Sequence, residues 1–359
     1  MSDPLVHPAT RQIVVRKDWL QQTQEPILEP ALPIVDPHHH LWAKDHGDYL
    51  LPDLLEDTAS GHDIRGTIFV QCGEMYRASG PAEEKSLGET EFVTGVAGMS
   101  ASGRYGPTRA CAGIIGMVDL TLGNRVTPLL EAHTAAAGGR FCGIRNRTAW
   151  HPSPEVTSNL VTPPPGPLEH PAFAEGAKRL AAFGLPLDVW AYHTQLPHVI
   201  ALARAVPELT VVVDHVGGPL GIGPFAGKQA EVFPEWKRRM QELAALPNVV
   251  VKVGGLTMYV SGFDFHRRPR PPGSEELAKT WRPYVETCIE AFGPNRCMFE
   301  SNFPVDKGMC SYPVLWNALK RLASGAGADE KTALFSGTAM RVYRLDRLPA
   351  SLAIDLSSP

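Results

Sequence analysis

The strongest constraint on this chain is a rhythm. Eight short runs of β-branched and apolar residues recur along its 359 residues: 32–36 (LPIVD), 66–72 (GTIFVQC), 110–118 (ACAGIIGMV), 141–146 (FCGIRN), 185–192 (LPLDVWAY), 209–215 (LTVVVDH), 248–253 (NVVVKV) and 296–300 (RCMFE). Between most of them lie segments with helical periodicity or composition, at 89–101, 125–137, 171–183, 196–206, 234–246 and 275–292, and two more, 316–323 and 329–342, follow the eighth run. Nearly continuous apolar strands that alternate with helices build a parallel sheet covered on both faces. A count of eight predicts closure into a single-domain α/β protein, a (β/α)8 TIM barrel, with an open doubly wound sheet as the alternative. The stretch 42–63 breaks the rhythm, because it is polar and predicts a loop. On this reading residues 1–30 form an irregular arm packed on the barrel or on a second subunit, 31–345 the barrel, and 346–359 a tail. The arm makes a homodimer an expectation, which a monomeric mass by light scattering would defeat.

Charge and composition narrow the partners. With 34 Lys and Arg against 38 Asp and Glu the chain lacks the basic excess of a nucleic-acid binder. It holds no apolar stretch approaching the roughly 18 residues of a spanning helix, and its first residues lack the apolar core of a secretion signal. The six cysteines show no Cys-x-x-Cys spacing and several sit inside apolar runs, which predicts buried thiols in a reducing cytoplasm. The expected partner is a small molecule, with no nucleic acid and no membrane. In a barrel, the connections 150–171 and 217–228 overhang the C-terminal rim, where sites are built.

The residues that end strands carry the chemistry. In Asp36-Pro37-His38-His39-His40-Leu41-Trp42 the alternation of an extended chain points His38 and His40 to one side and His39 to the other. Two imidazoles about 7 Å apart on one strand face can converge on one ion or one carbonyl oxygen, while the plain alternative is a polar turn. His193 closes the fifth run and His215 the sixth, and a barrel brings all such ends to one mouth. The other histidines, such as His7, His62, His133, His170 and His198, read as surface or packing residues. Arg145 on the fourth run suits a substrate carboxylate or lactone oxygen, or else a salt bridge below the rim. Gln71, Glu74 and Tyr76 after the second run, with Tyr192, Met258 and Tyr259, are candidate pocket residues, although aromatic residues at strand ends are often only core. Trp42, Trp150 and Trp190 hint at an apolar or planar ligand. No Gly-rich dinucleotide loop and no Gly-x-Ser-x-Gly elbow is present.

Several of these pieces resemble one family. Asp36 to Trp42, Gly143-Ile144-Arg145, Gln195-Leu196-Pro197, Asp214-His215-Val216-Gly217-Gly218-Pro219, Val251-Lys252-Val253 and Glu300-Ser301-Asn302-Phe303-Pro304 run in order over about 270 residues, from Asp36 to Asp306. Together they are similar to the amidohydrolase-related group that contains sugar lactonases, 2-pyrone-4,6-dicarboxylate lactonase and, more distantly, aminocarboxymuconate decarboxylases. The resemblance implies a barrel hydrolase that opens a lactone or related ester. It also implies a divalent metal, zinc first, held by His38, His40 and a histidine of strand five, although the lactonase branch includes enzymes that work without one. Trp190 takes the mid-strand position there, so His193 is the histidine available. The family motif on strand eight is Gly-Ser-Asp-Trp-Pro, whose Asp is ligand or base, and this chain has Asn302 at that position. An amide takes no proton at neutral pH.

Glu300, two residues earlier on the same strand face, is the replacement base on this reading, with Asn302 donating a hydrogen bond to substrate. The alternative is an ion pair between Glu300 and Lys252. The expected mechanism has His38 and His40, with or without His193 and an ion, polarise the carbonyl while His215 positions the water or steadies the oxyanion. Glu74, Arg145, Tyr192 and Tyr259 would bind substrate. Two other functions are open at this point: a metal-dependent non-oxidative decarboxylase or hydratase of an aromatic or muconate-type acid, and a non-catalytic ligand-binding barrel prompted by Asn302.

Overall fold

A computed structural model describes residues 3–8, 10–44, 47–157, 163–348, 350 and 352–357. Parts of the expected arm, of the 150–171 connection and of the tail therefore lie outside the described residues. All eight expected strands are present as β1 (Ile34–His39), β2 (Ile64–Val70), β3 (Arg109–Gly116), β4 (Phe141–Arg147), β5 (Leu187–Trp190), β6 (Val211–Val213), β7 (Val249–Val253) and β8 (Cys297–Phe299). They form one sheet in sequence order, and every pair is parallel. Eight helices alternate with them: α1 (Leu51–Thr58), α2 (Leu87–Ala101), α3 (Val126–Ala136), α4 (Pro171–Ala182), α5 (Leu196–Ala205), α6 (Gln229–Ala244), α7 (Ser274–Phe292) and α8 (Tyr312–Leu322). The fold is a (β/α)8 barrel.

Alternation explains why the strands read as almost wholly apolar. Val211, Val213, Val249, Val251 and Val253 join the layer of core packed under the helices, while Val212, Val250 and Met298 belong to a second cluster with Val35, Ile68 and Val70. Both faces are therefore buried, and a polar residue in phase with the second set is confined to the barrel interior. The segment Ala328–Thr332, Ala333–Gly337 and Thr338–Val342 brings Met340 and Tyr343 against that inner cluster.

The barrel closes without a regular β8–β1 ladder. Its seam is made just beyond β8, where the Asn302 amide donates to the His38 carbonyl (2.9 Å) and the His40 amide to the Phe303 carbonyl (2.8 Å).

Two expectations about connections are corrected. The stretch 42–63 is not a plain loop: Trp42–Lys44 pairs antiparallel with Gly47–Tyr49, and helix α1 follows. Asp53 accepts a hydrogen bond from the Leu50 amide (3.1 Å), an N-terminal cap, and Leu51 and Leu54 supply a short buried stripe that the polar surroundings mask. Helix α6 also starts five residues before the expected 234, with Pro234 inside it.

The arm lies on the C-terminal side of the barrel. The Trp19 indole donates to the Arg268 carbonyl (3.0 Å), the Thr23 hydroxyl to the Pro271 carbonyl (2.9 Å), and the Leu28 amide to Asn317 Oδ1 (2.9 Å). Ile13 presses on Gly308, where a Cβ would fall 2.5 Å from that of Ile13, so only glycine admits the arm there. All six cysteines are free and five are buried. Among the described residues no helix is long and apolar enough to cross a membrane.

Candidate active site

Four charged side chains interrupt the inner faces of β5 to β8 and their ends: Asp188, Asp214, Lys252 and Glu300, each fully buried. They meet at the level where β1 delivers His38. The Lys252 ammonium donates to Asp188 Oδ2 (2.6 Å), stands 3.5 Å from Asp214 Oδ1 and 3.3 Å from His38 Nδ1. The Tyr343 hydroxyl, from the barrel's far end, reaches both Asp188 oxygens at 3.0 Å. Burial pulls the Lys252 ammonium down, but Asp188, Asp214 and Glu300 outweigh it and its pKa is raised. Burial pushes Asp214 up, and Lys252, His215 and Arg145 more than reverse this, which keeps it ionised. The alternative Glu300–Lys252 pair is not the contact that forms: Asp188, two strands away on β5, takes the ammonium.

Glu300 instead bridges two histidines. Its Oε1 lies 2.8 Å from His215 Nδ1 and accepts from the His215 amide at 3.2 Å, while its Oε2 lies 2.8 Å from His38 Nδ1. A carboxylate only accepts, so His215 carries its proton on Nδ1 and turns Nε2 away from Glu300, whereas Glu300 Oε2 accepts no hydrogen bond and His38 presents its Nε2 on the other side. For His38 that Nε2 meets Arg145 Nη1 at 3.1 Å, and Arg145 Nη1 is also 3.4 Å from Asp214 Oδ2. Arg145 is fixed further through its Nη2, which donates to the Gln71 carbonyl. His40 donates from Nδ1 to the Val70 carbonyl (2.7 Å), which leaves its Nε2 as an acceptor. Burial holds His38 and His40 well below the usual imidazole range, so both are neutral. His39 points away, as alternation requires, to the Thr67 hydroxyl at 2.9 Å.

Local backbone geometry sets these rings. His215 and Val216 follow β6 with φ of 55° and 48°, and Asn302 follows β8 with φ of 54°, left-handed conformations that cost energy in non-glycine residues. Gly255 makes room for the His215 ring, since a Cβ there would lie 2.5 Å from Nδ1. The Asn302 amide donates to Asp306 Oδ2 at 2.6 Å, and Asp306 accepts the Thr257 amide at 2.8 Å. Asn302 is thus held from behind by a carboxylate that burial pushes up to about 6.

Above this centre opens a narrow cleft of about 90 Å³ that faces solvent. His40, Arg145, His215, Asn302 and Tyr259 of the expected site line it, together with Trp42, Trp190 and the arm residues Thr10 to Ile13. Three expected residues stand elsewhere. The His193 ring accepts the Leu220 amide (3.2 Å) and packs on Phe225 at 5.0 Å, outside the group of possible metal ligands, and burial lowers its pKa to about 4. Strand five sends Asp188, not a histidine, to the centre. Tyr192 packs with Trp190, Leu220 and Met258 behind the cleft wall. Glu74 gives its backbone amide to Glu89 (2.9 Å), and its side chain is not on the wall.

Among the described residues, the group with metal-ligating geometry is His38, Asp214 and His215, whose ligand atoms lie within 4.8 Å of one another. Its chemistry fits a divalent cation: imidazole nitrogen, an ionised carboxylate, and the buried oxygens Asp214 Oδ1 and Glu300 Oε2, which accept no hydrogen bond. Arg145 and Lys252 are fixed cations among the same donors. Asp214 was absent from the expected ligands, although its place in an all-valine strand is itself a signal, because a carboxylate there has to be compensated.

A parallel eight-stranded barrel with a buried histidine–carboxylate centre under a cleft at its C-terminal mouth defines the class: a TIM-barrel hydrolase. The amidohydrolase family model matches residues 35–345, and the chain belongs to that family. It is an amidohydrolase-superfamily hydrolase of lactonase-like type. An uncharacterized protein y4mH of Sinorhizobium fredii is 32% identical over 334 residues, 87% of this chain and 98% of that one. An L-fucono-1,5-lactonase of Burkholderia multivorans is 27% identical, covering 87% of this chain and 96% of its own. The crystal structure of an amidohydrolase from Burkholderia multivorans with bound zinc superposes with a TM-score of 0.66 at 25% identity, over 88% of this chain and 99% of the other.

Proposed function

We propose that the protein opens a lactone ring by general-base hydrolysis at the His215–Glu300 pair. The observation that carries this reading is the 2.8 Å contact from Glu300 Oε1 to His215 Nδ1, with His215 on the cleft wall and Glu300 sealed beneath it. Glu300 fixes the tautomer and steadies the imidazolium, so His215 Nε2 takes the proton of the attacking water and later returns it to the ring oxygen as the acyl bond breaks. This exchanges the roles that the sequence suggests, where Glu300 is the base and His215 its helper.

Arg145 is the electrophile. Its guanidinium holds a fixed position through His38, Asp214 and Gln71 and has donors left for the lactone carbonyl as charge builds on the oxygen. His40 does not fit that part, because its free Nε2 accepts and does not donate; it suits a substrate hydroxyl or a cation. Asn302 keeps its side-chain oxygen and one N–H for the substrate after its bond to Asp306. A divalent ion, zinc first, would be held by His38 and Asp214, with His215 Nε2 left as the base, and would add Lewis-acid polarisation and a more acidic water when bound.

The L-fucono-1,5-lactonase relative sets the test. Turnover of one or more lactones is expected from a panel of sugar 1,4- and 1,5-lactones followed by proton release, well above spontaneous opening. About one divalent ion per chain is expected by elemental analysis, lost in Asp214→Asn. No turnover across the panel, with and without added zinc or manganese, would remove the lactonase reading.

A further inference from the structure

The chain as a whole is acidic, with 38 Asp and Glu against 34 Lys and Arg, yet among the described residues no carboxylate lines the cleft. Four cations do: Arg11, Lys44, Arg145 and Arg147. Arg145 is accounted for by Asp214. The other three make no ion pair and no side-chain hydrogen bond with any described residue. Lys44 lies over the Trp42 ring at 4.0 Å, and Arg147 has a ring contact with Tyr76 at 6.0 Å. Burial raises the Glu89 carboxyl and Arg147 offsets this only in part; the Oε1 of Glu89 is engaged by the amides of Cys72, Gly73 and Glu74, and its Oε2 makes no hydrogen bond to Arg147. Arg11 is half-buried with a buried Nε that lacks an acceptor, on a residue whose φ of 55° is unfavourable for a side chain.

Three like charges around one cleft repel one another and pull in anions, and low-dielectric walls concentrate that field. Such an arrangement is costly unless a ligand supplies the missing charge. We infer that the substrate carries, besides its lactone, an ionised acidic group that Arg11, Lys44 and Arg147 bind at the cleft rim, so that the N-terminal arm contributes a specificity residue. This inference rests on the lactonase reading for the reaction, though not for the anion site. Guanidinium forks suit either a carboxylate or a phosphate ester.

The test compares three lactones of similar size: neutral glucono-1,5-lactone, glucaro-1,4-lactone with a carboxylate, and 6-phosphoglucono-1,5-lactone. A kcat/KM at least about tenfold higher for one of the anions supports the inference and names the acidic group. Arg11→Gln and Arg147→Gln are then each expected to cut the anion-to-neutral ratio about tenfold or more, mainly through KM. Equal or higher kcat/KM for the neutral lactone overturns it. A binding measurement separates the two readings if no lactone is opened. Calorimetric titration with glucarate and with gluconate should show the two-carboxylate acid binding at least about tenfold tighter, a margin that Arg147→Gln removes; equal affinities would overturn the anion site independently of turnover.

Discussion

Glu300→Gln is expected to lower kcat for lactone opening by about 10²- to 10⁴-fold, the range of a lost acid–base group, in a protein that remains folded. The carboxylate serves two imidazoles at once, with 2.8 Å to each Nδ1. A glutamine has one accepting oxygen and no charge, so it can still hold the His215 ring but cannot steady the imidazolium. The volume is conserved, so the barrel interior is not emptied. Steady-state kinetics paired with a melting curve checks this. A loss smaller than about tenfold with an unchanged melting point would show that His215 works without its partner and would defeat the proposed dyad.

Lys252→Met is expected to be the most destabilising single change at the centre, by about 3–5 kcal/mol, as for breaking a buried pair. It leaves Asp188 and Asp214 inside the barrel without the ammonium that sits 2.6 and 3.5 Å from them. Replacing the stranded partner as well, in Lys252→Met/Asp188→Asn, should recover part of the loss, since a neutral amide can still accept from the Tyr343 hydroxyl. Denaturant midpoints of wild type, both single variants and the double variant give the coupling directly. A single-variant loss below about 1 kcal/mol would mean that the network is already discharged without the lysine.

The strands and the mouth histidines are legible in the sequence because both depend on local pattern. A run such as Val211-Val212-Val213-Asp214-His215 shows a strand and its polar end together, and a parallel barrel fixes where every such end goes. The same run also marks Asp214, which the search for histidine ligands passes over. Partner choice is a different matter. Nothing local tells Lys252 to meet Asp188 and leaves Glu300 for the histidines, because that depends on the stagger of strands across the barrel. Helix α1 is hidden by its length and by polar neighbours, with only Leu51 and Leu54 to mark its buried side. Arg11 is not legible at all: it sits in an irregular segment, and only tertiary packing carries it to the cleft.

The seam of the barrel has a consequence for how the protein comes into being. The hydrogen bonds that join its first and last strands are made by His38, His40, Asn302 and Phe303, so ring closure and assembly of the reactive centre are a single event between segments some 265 residues apart. No partially synthesised chain that stops before β8 can hold Glu300 against His38 and His215, and loop-closure entropy makes this junction a late one to form. Catalytic competence therefore requires β8 and the residues just after it: a copy truncated before them lacks the reactive centre, and the appearance of activity during refolding times the moment at which the two ends of the barrel meet.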